Sequence, residues 1–315
     1  VTNAKALYVG GIIATTSSKN TQVAMNGCYN LGSITLTKDV ETTGGIYVGG
    51  IYSVRTSTST SSNCTLTGCY NEGDIVVDAK SAGTMCIGGI CAYTNMLNAT
   101  SSEAYPKFYN KGNIKVGTNL TKEEMTNYTA QLVVGGFLGL MNNNVKKNFD
   151  ADFQNQGDIT VKNVKTPKCS VGGIWGLHTK APVIKSGVVL TNTGNITVEN
   201  CSLTDASTWV GGIVATTLVP INGAKCYCNL AAPNLANVGM IMGTPRADAT
   251  LATKCHVGGR IAKTSQESVD DNSVLVPEWV DIDKSNYFNY IYGGETAWTG
   301  TDYDGCKYLP VKPEN

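Results

Sequence analysis

Arginine and histidine are scarce in this chain of 315 residues, and its charge is low and balanced. The three arginines are Arg55, Arg246 and Arg260, and 24 Lys+Arg residues balance 24 Asp+Glu residues. Nucleic-acid-binding proteins neutralise phosphates with clustered Lys and Arg, so we expect no nucleic-acid partner. The two histidines, His178 and His256, are far apart in sequence, so local spacing builds neither a catalytic triad nor a histidine metal pair.

Long apolar runs and a recognisable amino-terminal targeting segment are also lacking. No apolar stretch reaches the roughly 18 residues of a membrane-spanning helix, so no transmembrane segment is predicted. The sequence opens at Val1 without Met, a signal peptide or a lipid-attachment cysteine. We therefore expect a mature or trimmed form of the protein.

A Gly-Gly step recurs along the chain, preceded by Val or Ile and, in the first six copies, followed by an apolar and then, two residues later, a small residue. The copies are Val9-Gly10-Gly11, Val48-Gly49-Gly50, Ile87-Gly88-Gly89, Val134-Gly135-Gly136, Val171-Gly172-Gly173, Val210-Gly211-Gly212 and, after a longer gap, Val257-Gly258-Gly259. Successive steps lie 39, 39, 47, 37, 39 and 47 residues apart. A period in this range is typical of stacked repeat folds.

A second motif, Asn-x-Gly-x-Ile, alternates with the first. Its five copies begin at Asn30, Asn71, Asn110, Asn155 and Asn192. Because Asn and Gly tolerate left-handed backbone, we expect a tight corner at each copy and a strand from the Ile onward. In a parallel stack the asparagines would lie about 4.8 Å apart, and their amides could bond along a ladder. We predict a structural role for them rather than ligand binding.

The two motifs together predict an all-β chain, a parallel β-solenoid of about 39-residue repeats. The alternation of apolar and small residues after each Gly-Gly step has the period of a strand with one face in a narrow interior. We expect six or seven coils, one per repeat, each with three short strands. Two shorter coils per repeat is the alternative, because the two motifs alternate.

The repeat pattern ends before the carboxyl terminus. Residues 1–265 are predicted to form the repeat array, and residues 266–315 to form an aromatic-rich cap over its last coil, because an open solenoid end exposes strand edges and core. A binding patch is the alternative role for this tail. Within it, the aromatic segment 287–292 is predicted to be a strand packed on both sides. In the insertion near residues 118–129 we predict a short helix with a capping box of Thr121 and Glu124.

The chain has eleven cysteines. Cys28, Cys69 and Cys226 are assigned to one repeat position just before the turn, which predicts small buried thiols stacked coil on coil. A few disulfides are the alternative, the candidates being Cys64–Cys69 and Cys86–Cys91. No paired CxxC motifs occur, so no zinc site is predicted.

The Val-Gly-Gly-Ile strand followed by Cys-Tyr-Asn-x-Gly-x-Ile resembles the GLUG-type repeats of large bacterial surface and secreted proteins. The resemblance covers roughly residues 8–262, and the repeat in this chain is longer than in that family. The tail, with its Tyr287-Phe-Asn-Tyr-Ile-Tyr segment and Trp298–Cys306 segment, looks like the carboxyl-terminal part of surface lipoproteins of gut Bacteroidetes. The resemblance implies an exported cell-envelope β-solenoid, adhesive or glycan-associated, and it implies no catalytic residues.

Two classes of function stay open on the residues. The preferred one is a non-enzymatic, exported cell-surface protein, an adhesin or glycan-binding scaffold whose partner is a glycan or another cell-surface protein. The alternative is a polysaccharide hydrolase or lyase, which parallel β-helices often host. Glu72, Asp74 and Asp158 lie near repeat corners, but as single substitutions among Ser and Asn they suit a solvated corner better than a catalytic carboxylate pair. No catalytic, cofactor or metal site is predicted.

One row of positions is a candidate ligand surface. Tyr8, Tyr47 and Trp209 each lie two residues before a Gly-Gly step. If the Val between them and the glycine faces inward, these aromatic side chains face outward, where they could carry sugar rings. The alternative is that they pack beneath the Ser- and Thr-rich loops.

Overall fold

The computed structural model describes residues 4–16, 22–55, 63–95, 97–124, 129–142, 148–179, 183–203, 207–245, 253–268, 275–293 and 305–313. Strands stacked in parallel dominate these residues, and the predicted all-β parallel solenoid is confirmed. No helix in the described ranges is long and apolar enough to cross a membrane.

Each coil of the solenoid is made of short strands that follow one another along the chain. The first coil contains β1 Leu7–Gly10, β2 Ile13–Thr16, β3 Gln22–Asn26, β4 Tyr29–Asn30, β5 Ile34–Leu36 and β6 Glu41–Thr42. The second contains β7 Ile46–Gly49, β8 Tyr52–Arg55, β9 Asn63–Thr67, β10 Tyr70–Asn71, β11 Ile75–Val77 and β12 Lys80–Ser81. The third contains β13 Thr84–Gly88, β14 Cys91–Thr94, β15 Leu97–Thr100, β16 Lys107–Asn110 and β17 Ile114–Val116.

The later coils follow the same order until the last two. The fourth contains β18 Gln131–Gly135, β19 Leu138–Met141, β20 Asn148–Asp150, β21 Asp152–Asn155, β22 Ile159–Lys162 and β23 Lys165–Thr166. The fifth contains β24 Cys169–Gly172, β25 Trp175–His178, β26 Val183–Ile184, β27 Leu190–Asn192, β28 Ile196–Glu199 and β29 Ser202–Leu203. The sixth contains β30 Thr208–Gly211, β31 Val214–Thr217 and β32 Asn222–Ala231, and the seventh contains β33 Asn237–Gly239, β34 Met242–Pro245 and β35 Thr253–Glu267. The tail adds β36 Leu275–Asp281, a 3-10 helix at Tyr287–Tyr290 and β37 Lys307–Tyr308.

One coil corresponds to one repeat. Leu7 pairs in parallel with Ile46, 39 residues later, and Ile46 pairs on its other side with Met85. The strands with the Gly-Gly step therefore stack only on one another, in the order β1-β7-β13-β18-β24-β30-β33. The alternative of two coils per repeat is wrong. The expectation of three strands per coil is also wrong, because the chain bends at additional corners and most coils contain five or six short strands.

The side chains inside the coils form one continuous apolar core. Ile46, Val48 and their equivalents in the third, fourth and fifth coils are fully buried, and so are the large side chains of Phe108, Phe153 and Trp175. Phe108 and Phe153 stack with ring centroids 5.4 Å apart. Full burial of each such side chain is worth about 1.5–3 kcal/mol, so the parallel stack is stabilised chiefly by this repeated burial.

The five motif asparagines form a buried ladder through the interior. The side-chain Nδ2 of each of the first four donates to the Oδ1 of the asparagine in the next coil, at 2.7 Å from Asn30 to Asn71 and 2.8 Å at the other three steps. Each Nδ2 also donates to the backbone carbonyl of the glycine two residues later, as from Asn110 to Gly112 at 2.8 Å. Both amide hydrogens are thus satisfied without water, which is what a buried amide requires.

The second glycine of each Gly-Gly step makes room for this ladder. A Cβ added at Gly89 would lie 2.6 Å from Cγ of Asn110 and 2.0 Å from the carbonyl oxygen of Gly136. Gly136 stands in the same relation to Asn155. The two sequence motifs are therefore one packing unit, in which the glycine corner and the asparagine of a coil touch across the interior.

The glycine of the Asn-x-Gly motif serves a different purpose from the one the sequence suggested. None of these glycines has a left-handed φ among the described residues. A Cβ at Gly112 would instead lie 2.0 Å from the carbonyl oxygen of Gly73, in the coil below. The glycine is needed because successive coils approach closely at this corner.

Two assignments in the sixth and seventh coils are wrong. Val257-Gly258-Gly259 lies in β35 and pairs with β32, so it does not belong to the Gly-Gly stack. Val238 and Gly239 take the seventh place there, pairing with Val210 and Gly211. Cys226 pairs with Asn192, so it occupies the ladder position rather than the cysteine position before the turn. The thiol of Cys226 therefore ends the asparagine ladder.

The tail packs on the last coil. β36 pairs with β35 in antiparallel fashion, and β37 pairs with it in parallel. The backbone at Ile291, itself buried, accepts hydrogen bonds from Ile241 and Met242, so this segment lies on the glycine corner of the seventh coil. The aromatic segment forms a 3-10 helix instead of the predicted strand, with Phe288 exposed. The predicted boundary after residue 265 stays a prediction; β35 runs through that position.

The insertion after the third coil contains no helix in its described part. Thr121 and Glu124 do make the reciprocal capping-box hydrogen bonds, with N of Thr121 2.9 Å from Oε2 of Glu124. These bonds close a single turn, and Lys38 pairs with Glu124 at 2.7 Å. The rest of the predicted helix, residues 125–128, lies outside the described residues, as do Trp298 and Tyr303 of the tail.

All eleven cysteines are free thiols. Cys28 and Cys69 immediately precede the paired residues Tyr29 and Tyr70, so their side chains stack on successive coils. Burial raises the pKa of Cys69 to about 12. The candidate bridges Cys64–Cys69 and Cys86–Cys91 are absent.

Candidate functional site

The three aromatic residues proposed as ligand contacts share one row of the Gly-Gly stack but do not come together. Tyr8 pairs with Tyr47, and their rings stack with centroids 5.4 Å apart. The row then continues through Cys86, Val133 and Ser170, all fully buried, before it reaches Trp209. Trp209 is four coils from Tyr47, about 19 Å at ~4.8 Å per coil.

The stacked geometry of Tyr8 and Tyr47 limits what they can bind. The ring planes differ by 16°, so one face of each ring is covered by the other. Tyr93 also meets Tyr47 edge to face at 5.8 Å. Burial raises the pKa of Tyr47 to about 12, so its hydroxyl stays protonated. Only Tyr8, 37% exposed, offers ring surface that a sugar could reach.

A second tyrosine row, which the sequence analysis missed, lies on the outer face of the strands that carry the ladder. Tyr29, Tyr70 and Tyr109 stack with centroids 5.1 Å and 4.5 Å apart and ring planes within 14°. The pairing register extends this row through every later coil and into the tail. We call the row Tyr29, Tyr70, Tyr109, Gln154, Thr191, Lys225, His256 and Lys307 the outer row.

The signal for the outer row was present in the sequence. Tyr29, Tyr70 and Tyr109 each precede a ladder asparagine directly. Since adjacent residues of a strand point to opposite faces, an inward asparagine requires an outward neighbour. Recognising the ladder was therefore sufficient to predict an aligned row of tyrosines on the surface.

The tyrosine part of the outer row presents ring edges and hydroxyl groups rather than ring faces. Tyr70 is covered by tyrosines on both sides, whereas Tyr29 is covered on one side and is 54% exposed. Burial, and after it the neighbouring Tyr70, raises the pKa of Tyr109 to about 12. The ammonium of Lys111 lies 5.0 Å from the Tyr109 ring centroid and 2.9 Å from the Glu72 carboxylate.

The other end of the row is polar and then basic. Gln154 accepts a hydrogen bond from Lys107 at 2.9 Å. Beyond Thr191, the next side chains are Lys225, His256 and Lys307. Burial lowers the pKa of His256, and the flanking lysines lower it further, so the imidazole is neutral near pH 7. The row thus changes along one line from aromatic to neutral polar to cationic.

The carboxylates near the corners hold successive coils together. Asp74 pairs with Lys115 at 3.1 Å and accepts a hydrogen bond from the backbone of Asn113 at 2.9 Å. Burial alone would raise the pKa of Asp74, but these contacts outweigh it and lower the pKa. Asp158 accepts a hydrogen bond from the backbone of Asn195 at 2.7 Å. In each case the partner belongs to the next coil, which is a structural task.

The other histidine belongs to the core. His178 is fully buried, with Nδ1 3.2 Å from Oγ1 of Thr217 and its ring 4.7 Å from that of Trp175. Burial lowers the pKa of His178 to about 3, so it is neutral. Among the described residues, His, Cys, Asp and Glu form no group that could hold a metal ion.

Comparison of the chain with protein-family models, curated proteins and solved structures gives no match. Any assignment of function therefore depends on the outer row and its surroundings.

Proposed function

We propose that this chain is part of a non-enzymatic, exported cell-envelope protein that binds a glycan through the outer row. The observation that carries the proposal is the continuity of this row: one outward side chain per coil, aligned along the solenoid axis from Tyr29 to His256. Six steps of about 4.8 Å give a straight track of roughly 29 Å. A track of regularly spaced hydrogen-bonding groups fits an extended, hydroxyl-rich polymer.

The chemistry of the track supports a glycan in two ways. Tyrosine hydroxyls, an amide and a threonine hydroxyl both donate and accept hydrogen bonds, as sugar hydroxyls do. The open face of Tyr29 can cover one sugar ring. Because aromatic faces are apolar and their edges polar, such residues suit amphipathic ligands. The paired parallel strands hold these groups in place, so binding costs little conformational entropy.

Adhesion rather than cleavage is favoured by the use made of the acidic side chains. Glu72 and Asp74 of the second coil pair with lysines of the third, and Asp158 binds a backbone amide of the fifth. A glycosidase needs one free carboxylic acid and one free carboxylate facing the scissile bond. Carboxylates engaged in inter-coil contacts do not supply that pair.

A glycan array probed with the purified chain tests the proposal. We expect binding to one glycan class, with Tyr29→Ala weakening it severalfold because the open ring face is lost. Trp279→Ala is the matched control, since Trp279 is an aromatic residue of the tail with 37% exposure. Tyr8→Ala shows whether the first tyrosine row contributes.

The same glycans, incubated with the protein and assayed for reducing sugar, separate binding from catalysis. Release of reducing ends that depends on a carboxylate would contradict the proposal and favour a polysaccharide-active enzyme. Absence of binding to every glycan, with a cooperative thermal melt, would also contradict it.

A further inference from the structure

Three basic side chains surround a cavity where the outer row approaches the tail. Lys225, Lys254 and His256 line this cavity, which has a volume of about 290 Å³. Its floor includes backbone at Gly187 and Gly223. Lys307 in β37 is the partner of His256, and its charge acts on the imidazole, so a further ammonium group lies near His256.

The lysines of this cluster have no carboxylate partner among the described residues. The ion pairs of the described residues involve five other lysines, at positions 38, 111, 115, 162 and 185. No described acidic residue lines this cavity, and Asp152 lines a neighbouring cavity together with Lys225. Asp152 accepts a hydrogen bond from the backbone of Val189 at 2.8 Å. The cavity is therefore positively charged and solvent-accessible.

The backbone of Lys254 provides an independent observation. Its φ is 54°, in the left-handed range, which a residue with a Cβ adopts only at a cost. Gly223, its equivalent one coil earlier, has a φ of 98°, and Gly305, two residues before β37 and in register with Lys254, has a φ of 70°. The corresponding residues of the first two coils, Gly27 and Gly68, are also left-handed.

At this position the third, fourth and fifth coils have Lys107, Asp152 and Val189, none of them left-handed, so Lys254 is the described residue here that combines a Cβ with a left-handed φ. Strained residues of this kind persist where the surrounding structure or a function requires the side chain, and they cluster at binding sites. The Lys254 side chain lies beside the cavity, on the same surface as Lys225 and His256.

We propose that this cavity binds an anionic group, the carboxylate or sulfate of an acidic glycan. The inference rests on the proposed function and names the class of ligand that the outer row binds. That ligand is a glycan with hydroxyl groups over the tyrosines and an acidic group over Lys225, Lys254 and His256. Ammonium groups and a neutral imidazole N–H all donate hydrogen bonds to an oxyanion.

Isothermal titration calorimetry with three oligosaccharide probes tests this inference: an oligogalacturonate, a dextran sulfate oligosaccharide and neutral dextran of similar length. We expect at least one acidic probe to bind about tenfold more tightly than dextran, since each charge-assisted hydrogen bond contributes on this scale. The two acidic probes separate carboxylate from sulfate. Inorganic sulfate as competitor shows whether the anionic group alone occupies the cavity.

Two variants tie the binding to the cavity. Lys254→Gly and Lys225→Gln should each weaken the acidic probe about tenfold, and Lys254→Gly, which lies outside the outer row, should leave dextran unchanged. Lys254→Gly should also leave Tm unchanged or raise it by about 2 °C, because the strain is relieved. Lys165→Gln, with an exposed lysine in another sheet, is the matched control.

The outcomes distinguish the inference from the proposed function. Binding of a neutral glycan that is indifferent to Lys225 and Lys254 overturns the inference and leaves the function standing. Equal loss in the Lys165→Gln control, or acidic probes no tighter than dextran, also overturns it. Loss of acidic-probe binding in the two cavity variants alone supports it.

Discussion

Removing one asparagine from the middle of the ladder should destabilise the solenoid far more than removing the first one. Asn110 is 1% exposed. It makes three side-chain hydrogen bonds, each 2.8 Å long: from Asn71, to Asn155 and to the carbonyl of Gly112. The substitution Asn110→Ala breaks all three and leaves three buried polar groups without partners.

The expected loss follows from these contacts. Each intramolecular hydrogen bond contributes about 1 kcal/mol net, and an unsatisfied buried group costs about 1–3 kcal/mol. Asn110→Ala should therefore lower the free energy of unfolding by about 3–5 kcal/mol. Asn30 also makes three hydrogen bonds, but it is partly exposed, so water can replace them. Asn30→Ala should cost only about 1 kcal/mol.

Urea unfolding followed by circular dichroism measures both values, provided that the m-value is unchanged. Equal losses for the two variants, or a loss below about 1 kcal/mol for Asn110→Ala, would refute the ladder as a source of stability.

The variant Asn110→Asp adds a test with a defined sign. Its carboxylate would face the oxygens of Asn155 and Gly112 with no hydrogen to donate, so its folded pKa should exceed the unfolded value of about 3.9. Stability should therefore be highest below about pH 4 and fall as the pH rises toward the raised value.

Four further outcomes are expected. Gly136→Ala should prevent folding or lower the free energy of unfolding by more than about 3 kcal/mol, because its Cβ would lie 2.1 Å from a carbonyl oxygen. At Gly187 a Cβ meets no atom within 4 Å, so Gly187→Ala should cost only about 1 kcal/mol for its positive φ. Similar thermal melts for the two variants would contradict this. Deleting residues 266–315 should expose the last coil and cause aggregation in size-exclusion chromatography, while a soluble, cooperative protein that has lost a ligand would make the tail a binding site. Cys69 should resist alkylation by iodoacetamide at pH 8 until the protein unfolds, because burial raises its pKa to about 12, and rapid labelling of the native protein would refute its burial. Binding of the acidic probe should strengthen as the pH falls below 6.5, the ordinary pKa of histidine, because burial and the two flanking lysines lower the pKa of His256 and the imidazole gains charge only below that value; a flat titration would show that it does not contact the anion.

The solenoid and the location of its ladder were predictable because each repeat carries the same steric problem. A glycine that touches an asparagine across the interior must recur in every coil, so the pair Gly89 and Asn110 is visible as a periodic motif. The reason for the glycine of the Asn-x-Gly motif was harder to predict. Sequence alone suggested backbone conformation, whereas the structure shows close approach between coils, which depends on atoms from residues 37 or more positions away.

The prediction failed where the period breaks. Val257-Gly258-Gly259 has the letters of the repeat but pairs with Cys226-Tyr227-Cys228, because β32 and β35 are long single strands that replace two short ones. A motif match cannot reveal such a change of register. The basic cavity was missed for the same reason, since Lys225 and Lys254 become neighbours only through this pairing.

In a stack of coils, the residues at one repeat position form a row on the surface. When the same residue type recurs along such a row, contacts between coils are the first explanation for its recurrence. The stacked tyrosines, like the asparagines, contact one another from coil to coil, so their repetition also stabilises the fold. A change of residue type within such a row needs a separate explanation. Cys226 in the ladder is explained by its place at the ladder's end, next to Gly212. Lys254 is not explained in this way, because its left-handed φ would favour glycine, which occurs at the equivalent positions on either side, Gly223 and Gly305. Beside the aligned outer row, the departure from repetition at Lys254 is therefore a second feature of this surface that points to a partner outside the fold.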